Sequence, residues 1–294
     1  MKTVLVTGLI FILLVAVGVG CSTLKATDVL NFVLPTGQYV LKHATYGSQE
    51  RQAMDVYLPK TTTDKPPIVF VYGGAWKEGD KADFAFVAHA LTGLGYPVII
   101  PDYRRYPQVR FPAFVDDVAD AIRYAGQHAE ELLGKPLREY ILMGHSAGAH
   151  TVALRATDGH YLQARGVTAR VVALVALAGP YDLTLDDPEV MPIFPNADPQ
   201  AAKPVRNVHP GMPPVLLLHG ADDERVSPTH TRRFAEALKQ AGVPVDVRLY
   251  PGVDHVDVIG SLAAPLRMLA PSFEDIKAFL DATVGNSKQG KSGG

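Results

Sequence analysis

Short unbroken apolar runs alternate along this chain with longer stretches in which apolar residues recur every three or four positions. The runs predict strands at Tyr39–Tyr46, Met54–Leu58, Pro67–Tyr72, Pro97–Pro101, Tyr140–Met143, Val171–Leu177, Val215–Leu218 and Val245–Tyr250. Several are continuous in β-branched and aromatic residues, as strands buried on both faces are. Helical spacing appears at Phe84, Val87, Leu91 and Leu94, and again at Phe114, Val118, Ile122, Ala125 and Leu132 with Pro112 near its start. It returns at Ala147–Ala156, at Phe234, Leu238 and Ala241 before a stop at Gly242, and at Phe273–Leu280. Strands alternating with helices predict an α/β fold: a mostly parallel, eight-stranded sheet with helices on both faces. In such sheets chemistry collects at the carboxyl ends of the strands. The residues just after each run are therefore the ones to read.

The ends of the chain differ from its middle. Lys2, an apolar run from Val4 to Val19, and Gly20-Cys21-Ser22 read as an export signal over residues 1–21. Cys21 is the only cysteine, which excludes an internal disulfide. Its place just after the apolar run resembles the lipidated cysteine of bacterial lipoproteins, although Gly18 stands where a large aliphatic residue is usual. An ordinary cleaved signal and an uncleaved anchor of marginal length are the alternatives. All three place the domain outside the cytoplasm, and the first implies a membrane tether through Cys21. Ser22–Pro35 is a short amphipathic approach, residues 36–284 form one domain, and Gly285–Gly294, with no apolar residue, is expected to be a disordered tail. Neither an internal repeat nor a linker divides the middle.

Composition changes this picture little. At 294 residues, 47% hydrophobic and 20% charged, the chain suits one large globular domain. A net charge of −2 without a long basic run argues against nucleic acid and acidic lipid surfaces as partners.

The chemistry lies at the strand ends. Gly144-His145-Ser146-Ala147-Gly148 follows a predicted strand and opens a predicted helix, the setting of a nucleophile elbow. Flanking glycines leave room for the tight turn, and the Ala147 N–H is aimed at a developing oxyanion. A serine hydroxyl needs a base, and the base an orienting carboxylate. His255, after the last strand, is the candidate base. Asp222 and Asp223, after the strand before it, compete for the acid; Asp182 is a third candidate better suited to holding its own turn. The unchosen member of the Asp222–Asp223 pair is expected to bond its own loop backbone. Tyr72-Gly73-Gly74-Ala75-Trp76 offers the remaining oxyanion donors, Gly74 and Ala75, with Gly73 the alternative. Trp76 is placed either to line an acyl pocket or to pack the loop. His145 and His150 flank the elbow without a set of further metal ligands, so neither a metal nor a cofactor is expected. The Pro- and Asp-rich stretch Leu183–Pro210 is expected to cap the pocket.

Taken together, Asp55-Val56-Tyr57, Tyr72–Trp76, Asp102-Tyr103-Arg104, Phe111-Pro112-Ala113 with Asp116-Asp117, Gly144–Gly148, Gly220–Val226 and Gly252–His255 resemble the hormone-sensitive-lipase and feruloyl-esterase side of the α/β-hydrolase superfamily. The resemblance runs from Tyr39 to Leu280. It implies a serine carboxylesterase, and its acid, three residues after a glycine and three before a valine, selects Asp223. It also implies structural roles for Asp102, Arg104 and Asp117. The family commonly has His-Gly-Gly at the oxyanion loop; Tyr72 replaces that histidine here, which bears on the shape and polarity of the pocket. Gly144–His150 and Gly73–Trp76 are also similar to arylformamidases, so an amide or formamide hydrolase is an alternative. A catalytically silent binding lipoprotein on the same fold is another.

Overall fold

The computed structural model describes Asn31 and residues 38–157 and 166–289. The expected export signal, Cys21, most of the approach segment and residues 290–294 lie outside the described residues.

All eight expected strands form one sheet. They are β1 (Tyr39–Thr45), β2 (Ala53–Pro59), β3 (Ile68–Val71), β4 (Val98–Pro101), β5 (Glu139–His145), β6 (Arg170–Leu177), β7 (Val215–Gly220) and β8 (Val245–Tyr250), in the order β1-β2-β4-β3-β5-β6-β7-β8. β1 and β2 run antiparallel to their neighbours, and every pairing from β4 to β8 is parallel. β3, β4 and β7 are buried along their whole length, which is why they read as unbroken apolar runs.

The helices are α1 (Ala85–Gly93), α2 (Ala113–Gln127), α3 (Ala129–Leu133), α4 (Ala147–Thr157), α5 (Pro199–Ala202), α6 (Thr229–Gln240), α7 (Asp257–Gly260) and α8 (Ser272–Gln289). On α2, Phe114, Val118, Ile122 and Ala125 are all buried, and each large apolar side chain so placed contributes about 1.5–3 kcal/mol. The stripe that reached Leu132 in the sequence is two helices. His128 leaves helical geometry (φ −110°, ψ 24°), and its ring stacks on Tyr124 at 3.9 Å. Gly242, at φ 71°, follows α6 as its spacing predicts.

α8 departs from expectation at its far end. It continues through Gln289, into the segment expected to be disordered from Gly285. Extending an existing helix costs far less than nucleating one, so a polar stretch is carried along by the anchored turns before it.

Leu183–Pro210 forms the expected small cap. It consists of successive turns with α5 and a 3₁₀ turn at Pro204–Arg206. Asp182 fastens its base, pairing with Lys203 at 3.2 Å and with Arg233 of α6 at 2.7 Å.

Candidate active site

Ser146 sits between β5 and α4 with φ 55°, a left-handed conformation rare for a side-chain-bearing residue. Its N–H still donates to Leu177 O at 2.9 Å, so the β5–β6 pairing runs up to the serine before the chain turns. The flanking glycines permit that turn. A Cβ on Gly148 would lie 2.0 Å from Val71 O, and one on Gly144 would lie 2.6 Å from Gly148. Larger residues would push α4 off the end of β3 and open the elbow.

The oxyanion loop is held in comparable strain. Gly74 (φ 121°), Ala75 (φ 49°) and Trp76 (φ 57°) are three successive positive-φ residues. A Cβ on Gly74 would meet Glu78 O at 2.2 Å. The Gly74 carbonyl accepts the N–H groups of Lys77 and Glu78 at 2.8 and 3.0 Å, closing the turn behind it.

Tyr72 does not shape the pocket as its replacement of the family histidine suggested. Its ring is fully buried behind the loop, stacked on Phe84 at 5.3 Å and Tyr103 at 4.9 Å. Its hydroxyl donates to Asp102 Oδ1 at 2.6 Å and accepts from Arg51 Nη2 at 2.8 Å. Burial raises its hydroxyl pKa well above the ordinary value. Asp102 is structural, as expected, and so are Arg104 and Asp117, paired at 2.7 Å with Asp117 fully buried.

The candidate acid and base meet at adjoining strand ends. His255 Nδ1 lies 2.7 Å from Asp223 Oδ2. The other carboxylate oxygen, Oδ1, accepts the N–H groups of Arg225 and Val226, each at 2.9 Å. Burial by itself would raise the Asp223 pKa; hydrogen bonds from His219, His255 and the Val226 N–H outweigh it and hold the carboxyl well below its usual range. An ionised Asp223 puts the His255 proton on Nδ1 and leaves Nε2 free as a base. Asp222, in contrast, accepts from Gly252 N at 3.3 Å, tying the two loops together rather than bonding its own.

His145 Nε2 lies 3.1 Å from the His255 carbonyl. Burial, reinforced by nearby His255, lowers its pKa to about 3, so it is a neutral strut at neutral pH. His150 Nε2 lies 2.8 Å from Ala202 O, and burial lowers its pKa to about 4. Both histidines are thus committed to carbonyl groups. Among the described residues no group of three or more His, Cys, Asp or Glu is arranged to hold a metal.

Ser146, Ala147, Ala75 and Trp76 line a cavity of about 270 Å³ with Leu183, Val190 and Ile193 of the cap and Val226 of the acid loop. Trp76 fills both of its anticipated roles. It borders the cavity and also packs edge-on against His150 at 5.2 Å and Phe194 at 4.9 Å. His219 was passed over in the sequence: it is buried and touches Asp223. The available signal was its place at a strand end, four residues before the acid.

The chain is also similar to known proteins. Over 90% of its length the chain is 32% identical to the Oryza sativa subsp. japonica "Probable isoprenylcysteine alpha-carbonyl methylesterase ICME", covering 73% of that protein. It is 28% identical to the Drosophila melanogaster kynurenine formamidase, over 75% of this chain and 76% of that one. An inhibited esterase B from Lactobacillus rhamnosis superposes with a TM-score of 0.76 at 16% identity, over 90% of this chain and 94% of the other, and so shares its fold. Fold, elbow and relatives define a serine hydrolase of carboxylic esters on the α/β-hydrolase scaffold. Within that class the chain belongs to the BD-FAE family, whose model matches residues 54–238.

Proposed function

We propose that the chain hydrolyses small or medium carboxylic esters by acyl transfer to Ser146. His255 Nε2 takes the serine proton as the hydroxyl oxygen attacks the carbonyl carbon. Asp223 holds the imidazole in the Nδ1–H form and balances the imidazolium that results. The N–H of Ala147 and those of Gly74 and Ala75 receive the tetrahedral oxyanion. His255 then protonates the leaving alcohol, and water activated by the same imidazole releases the acid and restores Ser146. The proton transfer needs Ser146 Oγ and His255 Nε2 within hydrogen-bond reach, a contact that commonly tightens only when substrate binds.

The observation that carries this reading is the 2.7 Å bond between His255 and a buried, ionised Asp223, at strand ends beside a cavity that the elbow serine lines. A cavity of about 270 Å³ is below the usual range for drug-sized ligands, which favours short acyl groups. The rice relative, named a methylesterase, supports an ester with a small alcohol. Ser146→Ala is expected to cut p-nitrophenyl acetate hydrolysis by about 10³-fold or more. Equal rates in wild type and variant would overturn the reading. A series from acetate to laurate esters checks the size argument, with the short esters preferred.

A formamide substrate is the second reading, favoured by the match to the Drosophila kynurenine formamidase and by the motifs around Ser146 and Trp76. N-formylkynurenine turnover exceeding that of every ester tested would establish it. The same proposal places the domain outside the cytoplasm, tethered by a lipid on Cys21, on the strength of the apolar run and the lone cysteine after it. Mass spectrometry of the mature N-terminus checks the tether, which a free, unmodified Met1 would sink, and cell fractionation checks the placement, which recovery in the cytoplasm would sink.

A further inference from the structure

We propose that His219 is a positioning residue for the acid–base pair, holding Asp223 from behind and moderating how strongly it binds the proton of His255. This rests on the Ser146–His255–Asp223 reading and extends it.

His219 is the penultimate residue of β7 and is fully buried. Its Nε2 lies 3.0 Å from Asp223 Oδ2 and 2.8 Å from Val226 O. An ionised carboxylate and a carbonyl are both acceptors, so Nε2 carries the hydrogen and shares it between them. On the opposite side of the ring, Nδ1 lies 2.7 Å from Thr231 Oγ1 of α6 and accepts the hydroxyl hydrogen. The tautomer is fixed from both ends. Asp223 Oδ2 therefore faces two imidazoles, His255 at 2.7 Å and His219 at 3.0 Å, while two backbone N–H groups occupy Oδ1.

Those two backbone donors already orient the carboxylate. The bond from His219 adds competition for the oxygen that serves the base. Each donor on Oδ2 draws off part of its charge, and what His219 takes is not available to steady the His255 imidazolium. His219 accordingly keeps the acid ionised and immobile and limits its pull on the base.

Other charged or titratable groups near the pair come from several elements. His145 of β5 donates to the His255 carbonyl, with the two rings 4.8 Å apart. His230 of α6 accepts from Asp182 N. Asp222 holds Gly252, and Asp254 accepts the N–H groups of Val256 and Asp257. Arg225 follows the acid and borders the cavity. None of these bonds involves the His219 side chain, so a substitution there leaves them in place.

The test is the pH dependence of kcat/KM on p-nitrophenyl acetate in the full chain, for wild type, His219→Leu and His219→Gln. In His219→Leu the acid limb is expected to move to higher pH by roughly half a unit, because the freed carboxylate stabilises the imidazolium more. Its plateau kcat is expected to stay within about threefold of wild type with KM little changed, since the two backbone donors still orient the carboxylate. His219→Gln restores an N–H donor and is expected to return the limb most of the way to wild type. A Leu limb superposed on wild type, or a Gln limb displaced as far as Leu, would show a packing role only and overturn the proposal. If the Leu variant fails to fold, ¹⁵N NMR of the wild-type histidines decides. The Nε2–H tautomer at His219 at plateau pH is required, and the Nδ1–H tautomer there overturns it. The triad reading fails separately, through an active Ser146→Ala.

Discussion

Ser146 and Ala147 reach the cavity from below on backbone pinned by sheet, helix and glycine contacts, whereas Leu183, Val190 and Ile193 reach it from above on a run of turns. On the floor, the elbow continues a sheet ladder, the acid takes bonds on both oxygens, and the oxyanion turn closes on its own carbonyl. The cap is tied through Asp182 at its base, through the Ile193 and Ala202 carbonyls, which accept from Phe111 N and His150 Nε2, and through aromatic packing around Phe194. Rate should therefore be written in the floor and selectivity in the cap. Rigid placement is what a transition state rewards, and a turn-built roof can vary without moving it.

Three substitutions, and a fourth at Asp222 as control for the first, probe this division in descending order of effect. Asp223→Asn is expected to lower kcat by about 10³–10⁴-fold on p-nitrophenyl acetate, because a neutral amide no longer selects the Nδ1–H tautomer. Asp222→Asn, which touches only the tie to Gly252, should change it less than about threefold. The reverse ranking would move the acid to Asp222. Next, Gly74→Ala must place a methyl where Glu78 O already stands and is expected to cost about 10²-fold in kcat through a displaced oxyanion turn. Wild-type kcat in that variant would show that the turn is not rate-determining. Smallest, Val190→Ala in the cap is expected to leave kcat on acetate within about twofold while shifting preference toward longer acyl chains by about tenfold, since one methylene in an apolar pocket is worth about 1–3 kcal/mol. A large loss of kcat there would put the cap into the chemistry and dissolve the contrast.

The floor was also the more legible part. Its strands read directly because a run buried on both faces has no polar alternation to confuse it, and the elbow and base sit where those runs end. The choice of Asp223 over Asp222 needed the family spacing, since two adjacent carboxylates look alike until one finds a partner 32 positions away. Tyr72 was misjudged because a sequence does not say which way a side chain points at the end of a strand; Asp102 and Arg51 draw it inward. The break at His128 was hidden by apolar spacing that continues across it. His219 escaped notice for a related reason: its partners, Asp223 and Thr231, come together only when α6 packs behind the acid loop.

The left-handed backbone at Ser146 has a consequence for how the molecule withstands heat. Glycine adopts that conformation without steric penalty, although it also loosens the unfolded chain. Relief of the strain is the larger effect at this position, so Ser146→Gly loses its nucleophile and is expected to gain about 1 kcal/mol of stability, which in a chain of this size raises Tm by about 1–2 °C. The elbow would then be a place where the working enzyme melts earlier than its own inactive variant.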